Sequence, residues 1–231
     1  MKNSQAQDFP HNTISFLKKL ARNNNKDWFE KNREMYDRDF LQPAVHFVLE
    51  MGSRLSDYVP DIQAVPKINK SIFKLYRDVR FSKNKQPFKT NLGIFLWEGG
   101  NRLESPGFYF HLEPQLMFLG AGIYKFDKNR LKLFREAVSD QAAGNELLKI
   151  MSEIKKKKGV KIGGEKYKKL PEGYDHYTPA AEFLLYDSLY AFVESDSPAS
   201  LSGNKLLNYV FKKFIDFLPL HNWLLKALKY K

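Results

Sequence analysis

The chain has 231 residues, 43% of them hydrophobic and 15% aromatic, so it is long enough to bury a substantial core in one large domain. Its formal net charge of +12 permits an anionic partner such as a nucleic acid, a nucleotide, a phosphorylated metabolite or a membrane surface, without choosing among them. The absence of cysteine excludes a disulfide scaffold, a thiolate metal site and a thiol nucleophile.

The N-terminal part of the chain, about 13–59, is predicted to be helical. Ile14, Leu17 and Leu20 recur at helical spacing, and an amphipathic pattern continues beyond an asparagine-rich turn. Pro43 must either kink the second helix or occupy the first turn of a third, because it has no backbone N–H to donate. No signal peptide is recognised, and no stretch approaches the about 18 apolar residues of a membrane span. We therefore expect a cytoplasmic protein with no membrane partner.

Three apolar and aromatic runs follow one another in the predicted sheet core, about 70–125. They are Leu92–Trp97, Gly107–Glu113 and Gln115–Tyr124. The connections between them are short, which favours antiparallel pairing, because parallel strands need a long crossover.

The C-terminal part, about 127–231, is predicted to be mainly helical. Asp127 is the expected N-cap of its first helix, a lysine- and glycine-rich loop or loose hairpin covers 158–173, and Pro219 is expected to divide the last helical stretch in two. The fold class is therefore predicted to be α+β, a mainly antiparallel sheet flanked by N-terminal and C-terminal helices, in one domain spanning 1–231.

The positive charge is concentrated in two segments. Lys67–Lys89 and Lys155–Lys169 each hold eight basic residues against one acidic residue, and the rest of the chain carries −2. The first segment interleaves its cations with aromatic residues. Arginine forks bind carboxylates and phosphates through paired hydrogen bonds, and lysines add point charge. We therefore predict a pocket for a small anionic ligand that carries a phosphate or a carboxylate. Its predicted lining is Arg77, Asp78, Arg80, Lys85 and Lys89.

The side of the segment on which each side chain lies predicts different roles for these residues. If the segment is extended, Arg77 shares a side with Leu75, whereas Asp78 and Arg80 point to the other side. Arg77 is then partly structural, Arg80 and Lys89 are expected to meet the ligand, and Asp78 is expected to orient the arginines. The alternative is a buried ion-pair hub, in which the same residues hold a helix to the sheet.

A histidine and a carboxylate lie two residues apart on a predicted strand. Alternation puts Tyr109, His111 and Glu113 on one side, so His111 and Glu113 are the catalytic candidates, a base and its orienting group, if the protein is an enzyme. The alternative is an ordinary half-exposed strand. No metal site or cofactor is predicted, because none of the five histidines has the His-x-x-x-His spacing and Gly120-Ala-Gly122 does not open a helix.

The second basic segment, Lys155–Lys169, supports a different function. Such a segment can hold the phosphates of DNA or RNA with a strong salt dependence, or it can be a solvated surface. A nucleic-acid-binding module without catalysis is therefore the alternative function.

Four stretches of the sequence together resemble the conserved hypothetical proteins grouped as domain of unknown function 2461, and the resemblance extends over most of the chain. They are Ile72–Lys89, Gly107–Pro114, Gly120–Tyr124 and Lys169–Tyr174. The chain departs from the family pattern at Phe88, where tyrosine is more frequent, and at Lys74, where arginine is more frequent. The resemblance implies a shared fold and a shared site, but no activity.

Overall fold

The computed structural model describes residues 8–174, 177–178, 180–198 and 200–229. These residues form two compact units. Within the described ranges, unit 1 comprises 8–96, 109–118 and 195–212, and unit 2 comprises 97–108, 119–194 and 213–229. The expectation of a single domain stays a prediction.

The predicted N-terminal helices are present in unit 1. Asn25 begins the second of them by accepting a hydrogen bond from the backbone N–H of Trp28 at 2.9 Å. The helical elements are α1 (His11–Arg22), α2 (Lys26–Lys31), α3 (Arg33–Tyr36), a π-helical turn (Asp37–Leu41) and α4 (Gln42–Leu55).

Pro43 lies in the first turn of α4, which is the second of the two places that the sequence allows. Because Pro43 has no N–H, it cannot donate to the carbonyl oxygen of Asp39 four residues earlier. The buried hydroxyl of Thr13 in α1 donates to that oxygen instead, at 2.6 Å. A side chain from another helix therefore satisfies the backbone group that the proline leaves unpaired.

The sheet has six strands in the order β1-β2-β3-β4-β6-β5, and it is antiparallel. The middle strands match the three runs expected from the sequence. Helices lie at both ends of the chain, so the α+β prediction is confirmed. The strands are β1 (Ile62–Gln63), β2 (Leu92–Glu98), β3 (Gly107–Leu112), β4 (Leu116–Ile123), β5 (Val160–Glu165) and β6 (Tyr186–Asp196).

Two strands lie inside the stretch that was expected to be mainly helical. β5 pairs antiparallel with β6, from Val160 opposite Val193 to Glu165 opposite Tyr186. Leu189 and Val193 are buried, and the residues between them alternate in burial, which is the period-two pattern of a strand. Sheet pairing therefore decides the structure of this stretch.

The helices of the C-terminal part are α5 (Lys128–Ser139), α6 (Gln141–Lys155), a short 3₁₀ helix (Ala181–Leu185) and α7 (Gly203–Ala227). The predicted N-cap is confirmed, since the Asp127 side chain accepts from the N–H of Arg130 at 2.9 Å. The predicted division at Pro219 is wrong, because α7 continues through it. No helix in the described part of the chain is long and apolar enough to cross a membrane.

Candidate functional site

The first basic segment forms an irregular hairpin in unit 1. The backbone N–H of Arg77 donates to the carbonyl oxygen of Pro87 at 2.8 Å, and the N–H of Lys89 donates to the carbonyl oxygen of Leu75 at 2.8 Å. Tyr76 and Phe88 form an antiparallel bridge between these bonds. We call residues 75–89 the basic hairpin. Its two arms pair antiparallel through these two bonds.

One face of the basic hairpin is fixed to the N-terminal helices. The ring of Phe88 lies 4.4 Å from that of Phe29 in α2 and 4.8 Å from that of Tyr76, centroid to centroid. The Asn24 side chain donates to the carbonyl oxygen of Phe88 and accepts from its N–H, both at 3.0 Å. Phe88 is thus held by packing and backbone bonds, and neither needs the phenolic hydroxyl that a tyrosine would add.

The other face of the basic hairpin carries Arg77 and Lys89. Residues directly opposite each other in an antiparallel pair point to the same side. The register pairs Leu75 with Lys89 and Arg77 with Pro87, so these four side chains share the face opposite to Tyr76 and Phe88. Two of the predicted site residues therefore lie together on one face.

The remaining predicted residues lie at the hairpin tip and bond within it. Arg80 donates to both carboxylate oxygens of Asp78, at 3.0 Å from Nε and 2.8 Å from Nη2. The Arg80 side chain, followed by its backbone N–H, holds the pKa of Asp78 below its usual range. Lys85 donates from Nζ to the carbonyl oxygen of Val79 at 3.2 Å. The Arg80 and Asp78 side chains are 77% and 54% exposed, so the buried-hub interpretation is wrong for this pair.

Arg77 differs from its neighbours. Its side chain is half-buried, and within the described part of the chain its guanidinium makes no hydrogen bond or ion pair. Asp78, the adjacent carboxylate, is already bonded on both oxygens by Arg80. The five N–H donors of Arg77 are therefore uncommitted on the face that it shares with Lys89.

The two catalytic candidates, His111 in β3 and Glu113 just after it, belong to one hydrogen-bonded row. His111 Nε2 lies 2.9 Å from Oε1 of Glu113, and Nδ1 lies 3.0 Å from the hydroxyl of Tyr109. The amide nitrogen of Asn91 lies 3.5 Å from the same Nδ1. A carboxylate can only accept, so Nε2–H donates to Glu113, and Nδ1 of the neutral ring is then an acceptor. We call Tyr109, His111 and Glu113 the relay.

The relay lies on the partly exposed side of the sheet. Phe110 and Leu112 of β3 are fully buried on the other side, whereas the His111 and Glu113 side chains are 18% and 46% exposed. The Tyr109 hydroxyl crosses Gly93 so closely that a Cβ there would stand 2.9 Å from it. Gly93 of β2 therefore leaves the room that the phenol occupies.

The sequence did not single out Tyr109 and Asn91 as functional residues. The alternation that pairs His111 with Glu113 also puts Tyr109 on their side, so that signal was present. The contact of Asn91, which precedes β2, with His111 of β3 spans 20 residues, so no local spacing predicts it. Within the described ranges, no group of three histidine or acidic residues could hold a metal ion.

A family model described as "Conserved hypothetical protein (DUF2461)" matches residues 12–223. The chain belongs to this family. The matched range includes the basic hairpin, the relay and Asn91, so the resemblance seen in the sequence is confirmed over most of the chain. No curated protein matches it.

The positive charge of the second basic segment, Lys155–Lys169, is partly compensated within unit 2. Four of its eight lysines form ion pairs, each with N···O distances of 2.6–2.9 Å. A shallow cavity of about 640 Å³ borders the end of the segment, and its lining mixes two lysines, one glutamate and three apolar residues. The ion pairs are Lys156–Glu153, Lys157–Asp216, Lys161–Glu194 and Lys166–Asp187.

Proposed function

We propose that the protein binds a small anionic ligand, one that carries a phosphate or a carboxylate, on the hairpin face of Arg77 and Lys89. The observation that carries this proposal is the half-buried guanidinium of Arg77, which makes no hydrogen bond or ion pair within the described part of the chain. A partly buried charge without an acceptor is unfavourable, and a bound anion supplies the acceptor.

Arg80, Asp78 and Lys85 have a supporting role in this proposal. Their bonds are made within the hairpin tip, where both side chains of the Asp78–Arg80 pair are largely exposed. They give the tip its shape, and Lys85 adds positive charge, whereas Arg77 and Lys89 contact the ligand. The sequence had predicted the opposite roles, with Arg80 meeting the ligand and Arg77 partly structural.

Replacing Arg77 by methionine tests the proposal. We expect Arg77→Met to weaken the binding of inorganic phosphate or citrate, measured by isothermal titration calorimetry, by about tenfold or more, because a hydrogen bond to a charged group contributes about 1.5–3 kcal/mol. Lys74→Met is the matched control. It removes the same charge from an exposed neighbour on the other side of the segment, so we expect its affinity to change less than about twofold.

Two results would contradict this proposal. One is that neither anion binds saturably to the wild-type protein. The other is that Arg77→Met and Lys74→Met weaken binding equally, which would indicate a response to net charge rather than a site.

Nucleic-acid binding is the second candidate function, and one observation favours it. Phe81 at the hairpin tip is 95% exposed, and the guanidinium carbon of Arg80 lies 5.8 Å from its ring centroid. Exposed aromatic rings beside cations can stack on the bases of single-stranded nucleic acid. The paired lysines of the second basic segment argue against it, since their charge is partly compensated.

A further inference from the structure

The relay has the geometry of a nucleophile, its base and the group that orients the base. The distance from the Tyr109 hydroxyl to His111 Nδ1 is 3.0 Å, and that from His111 Nε2 to Glu113 is 2.9 Å. Both fall within the range of about 2.6–3.2 Å in which a base takes a proton from a nucleophile and a carboxylate holds the base. The arrangement is recognised by roles and distances, whatever the fold.

The tautomer of His111 supports this interpretation. Glu113 accepts a hydrogen bond from Nε2–H, and the amide nitrogen of Asn91, the residue before β2, lies 3.5 Å from Nδ1. The basic lone pair of the imidazole therefore faces the phenol of Tyr109.

Tyr109, His111 and Glu113 are each partly exposed, so the relay is open to solvent. The Tyr109 hydroxyl fills the space that Gly93 leaves, and the ring of Phe73 meets the Tyr109 ring edge-on at 5.9 Å, so a ligand reaches the relay from its solvent-exposed side. Lys89 precedes Gly93 by four residues, so at most about 14 Å of chain separates them.

We propose that Tyr109 is a catalytic nucleophile, activated by His111 and Glu113, that attacks the phosphorus of a phosphate ester. The choice of substrate class rests on the proposed anion-binding function. The reactivity of Tyr109 does not depend on it, because no atom of the relay belongs to the basic hairpin.

The reaction has two steps. In the first, a bond forms between Tyr109 Oη and phosphorus, the bond from phosphorus to the leaving oxygen breaks, and the phenolic proton passes to His111 Nδ1 and then to the leaving oxygen. In the second, water attacks the aryl phosphate, the bond from phosphorus to Tyr109 Oη breaks, and a proton of that water returns through His111 to the phenolate. The net reaction is hydrolysis of the ester.

A neutral electrophile tests the reactivity of Tyr109 apart from anion binding. Benzenesulfonyl fluoride forms an oxygen–sulfur bond with an activated phenol and releases fluoride, while the phenolic proton passes to the base. Labelling is followed by peptide mass spectrometry, with Tyr124, 83% exposed, as the internal control. We expect Tyr109 to react about tenfold faster or more, because general-base assistance is worth about 10²–10⁴-fold. A rate at or below that of Tyr124 would overturn the proposal.

Substitutions in the relay identify the base. Gln retains a polar side chain but is not basic, so we expect His111→Gln to reduce Tyr109 labelling to the rate of Tyr124, whose own rate stays unchanged. If His111→Gln does not fold, Glu113→Gln serves in its place, since that side chain is 46% exposed, and a reduction of about threefold or more is expected. An unchanged Tyr109 rate in the folded variant would overturn the proposal.

An anionic probe distinguishes a failure of the anion site from a failure of the nucleophile. We expect 4-fluorosulfonylbenzoate to label Tyr109 faster than the neutral probe does, and Arg77→Met to remove only that advantage. If the neutral probe labels Tyr109 rapidly and the carboxylate gives no advantage, the nucleophile is supported and the anion site is not.

A phosphate ester tests the substrate class. After acid quenching of an incubation with 4-nitrophenyl phosphate, we expect phosphate on Tyr109 of the wild-type protein and none in Tyr109→Phe. The phosphate-ester assignment would be overturned if wild-type protein carried no phosphate on Tyr109 and released no nitrophenol.

Discussion

The residues of the site differ in how far their contacts can be predicted from nearby positions in the sequence. His111 bonds to residues two positions away on each side, so the strand alternation that places them together is visible in the sequence. Arg77 depends on a cross-strand register that no local pattern gives, and on Arg80 having taken the carboxylate of Asp78. The relay could therefore be anticipated, whereas the uncommitted guanidinium could not.

Tyr36 in α3 gives a pH prediction at the residue scale. Burial raises the pKa of its phenol from 10.0 to about 12. Between these values the unfolded chain loses a proton that the folded chain keeps, so the unfolded state is favoured as the pH rises. The stabilisation is complete below the unfolded pKa and is lost as the pH rises through the folded one.

We therefore expect the free energy of unfolding to fall more steeply between pH 9 and pH 11 in the wild-type protein than in Tyr36→Phe, by about 1 kcal/mol. Urea denaturation at each pH measures this difference. Phenylalanine keeps the ring contacts of Tyr36 and removes only the titrating group. Parallel pH profiles for the two proteins would show that Tyr36 does not titrate differently on folding.

At the scale of elements, the sequence located helices and strands correctly where the pattern of apolar residues was clear. The helices of the N-terminal part lie close to their expected places because they have one apolar side, and strands β2, β3 and β4 do so because each is a short apolar or aromatic run. β6 was missed because it lies between helical elements and contains residues that fit either period. The helix break predicted at Pro219 is wrong, since α7 continues through this residue although its backbone cannot donate a hydrogen bond.

Gly122 in β4 gives a prediction about the contact between two strands. Its φ is +137°, and a Cβ would stand 2.2 Å from the carbonyl oxygen of Leu189 in β6. We expect Gly122→Ala to lower the free energy of unfolding by about 3 kcal/mol, through backbone strain and overpacking.

Gly100→Ala is the matched control, because nothing lies within 4 Å of a Cβ built at Gly100. We expect a change within about 0.5 kcal/mol there. Urea denaturation measures both variants, and equal effects would contradict a specific role of the close approach at Gly122.

At the scale of the whole molecule, the charge of +12 overstates the cationic surface that is available to a polyanion. Half of the lysines in the second basic segment are paired with carboxylates of unit 2, and the Asp78–Arg80 pair removes charge from the hairpin tip. Such exposed pairs contribute little stability, but they compensate charge locally.

We therefore expect DNA binding to be weak and non-specific, detectable by fluorescence anisotropy at about 20 mM salt and lost by about 150 mM. Phe81→Ala should leave it unchanged, because only charge contributes. Binding that persists at the higher salt concentration and is weakened by Phe81→Ala would instead favour the nucleic-acid function over the small-ligand function.

The sequence by itself determined the fold class, the family, the helical N-terminal part, three central strands and the proximity of His111 to Glu113. Each of these depends on the alternation or periodicity of neighbouring residues, or on a contiguous motif. The tertiary structure decided the strand pairing of β5 and β6, the contact of Asn91 with His111, the face shared by Arg77 and Lys89, and the uncommitted state of Arg77. These features depend on contacts between residues far apart in the sequence, and on which hydrogen-bond acceptors are already bonded to other donors.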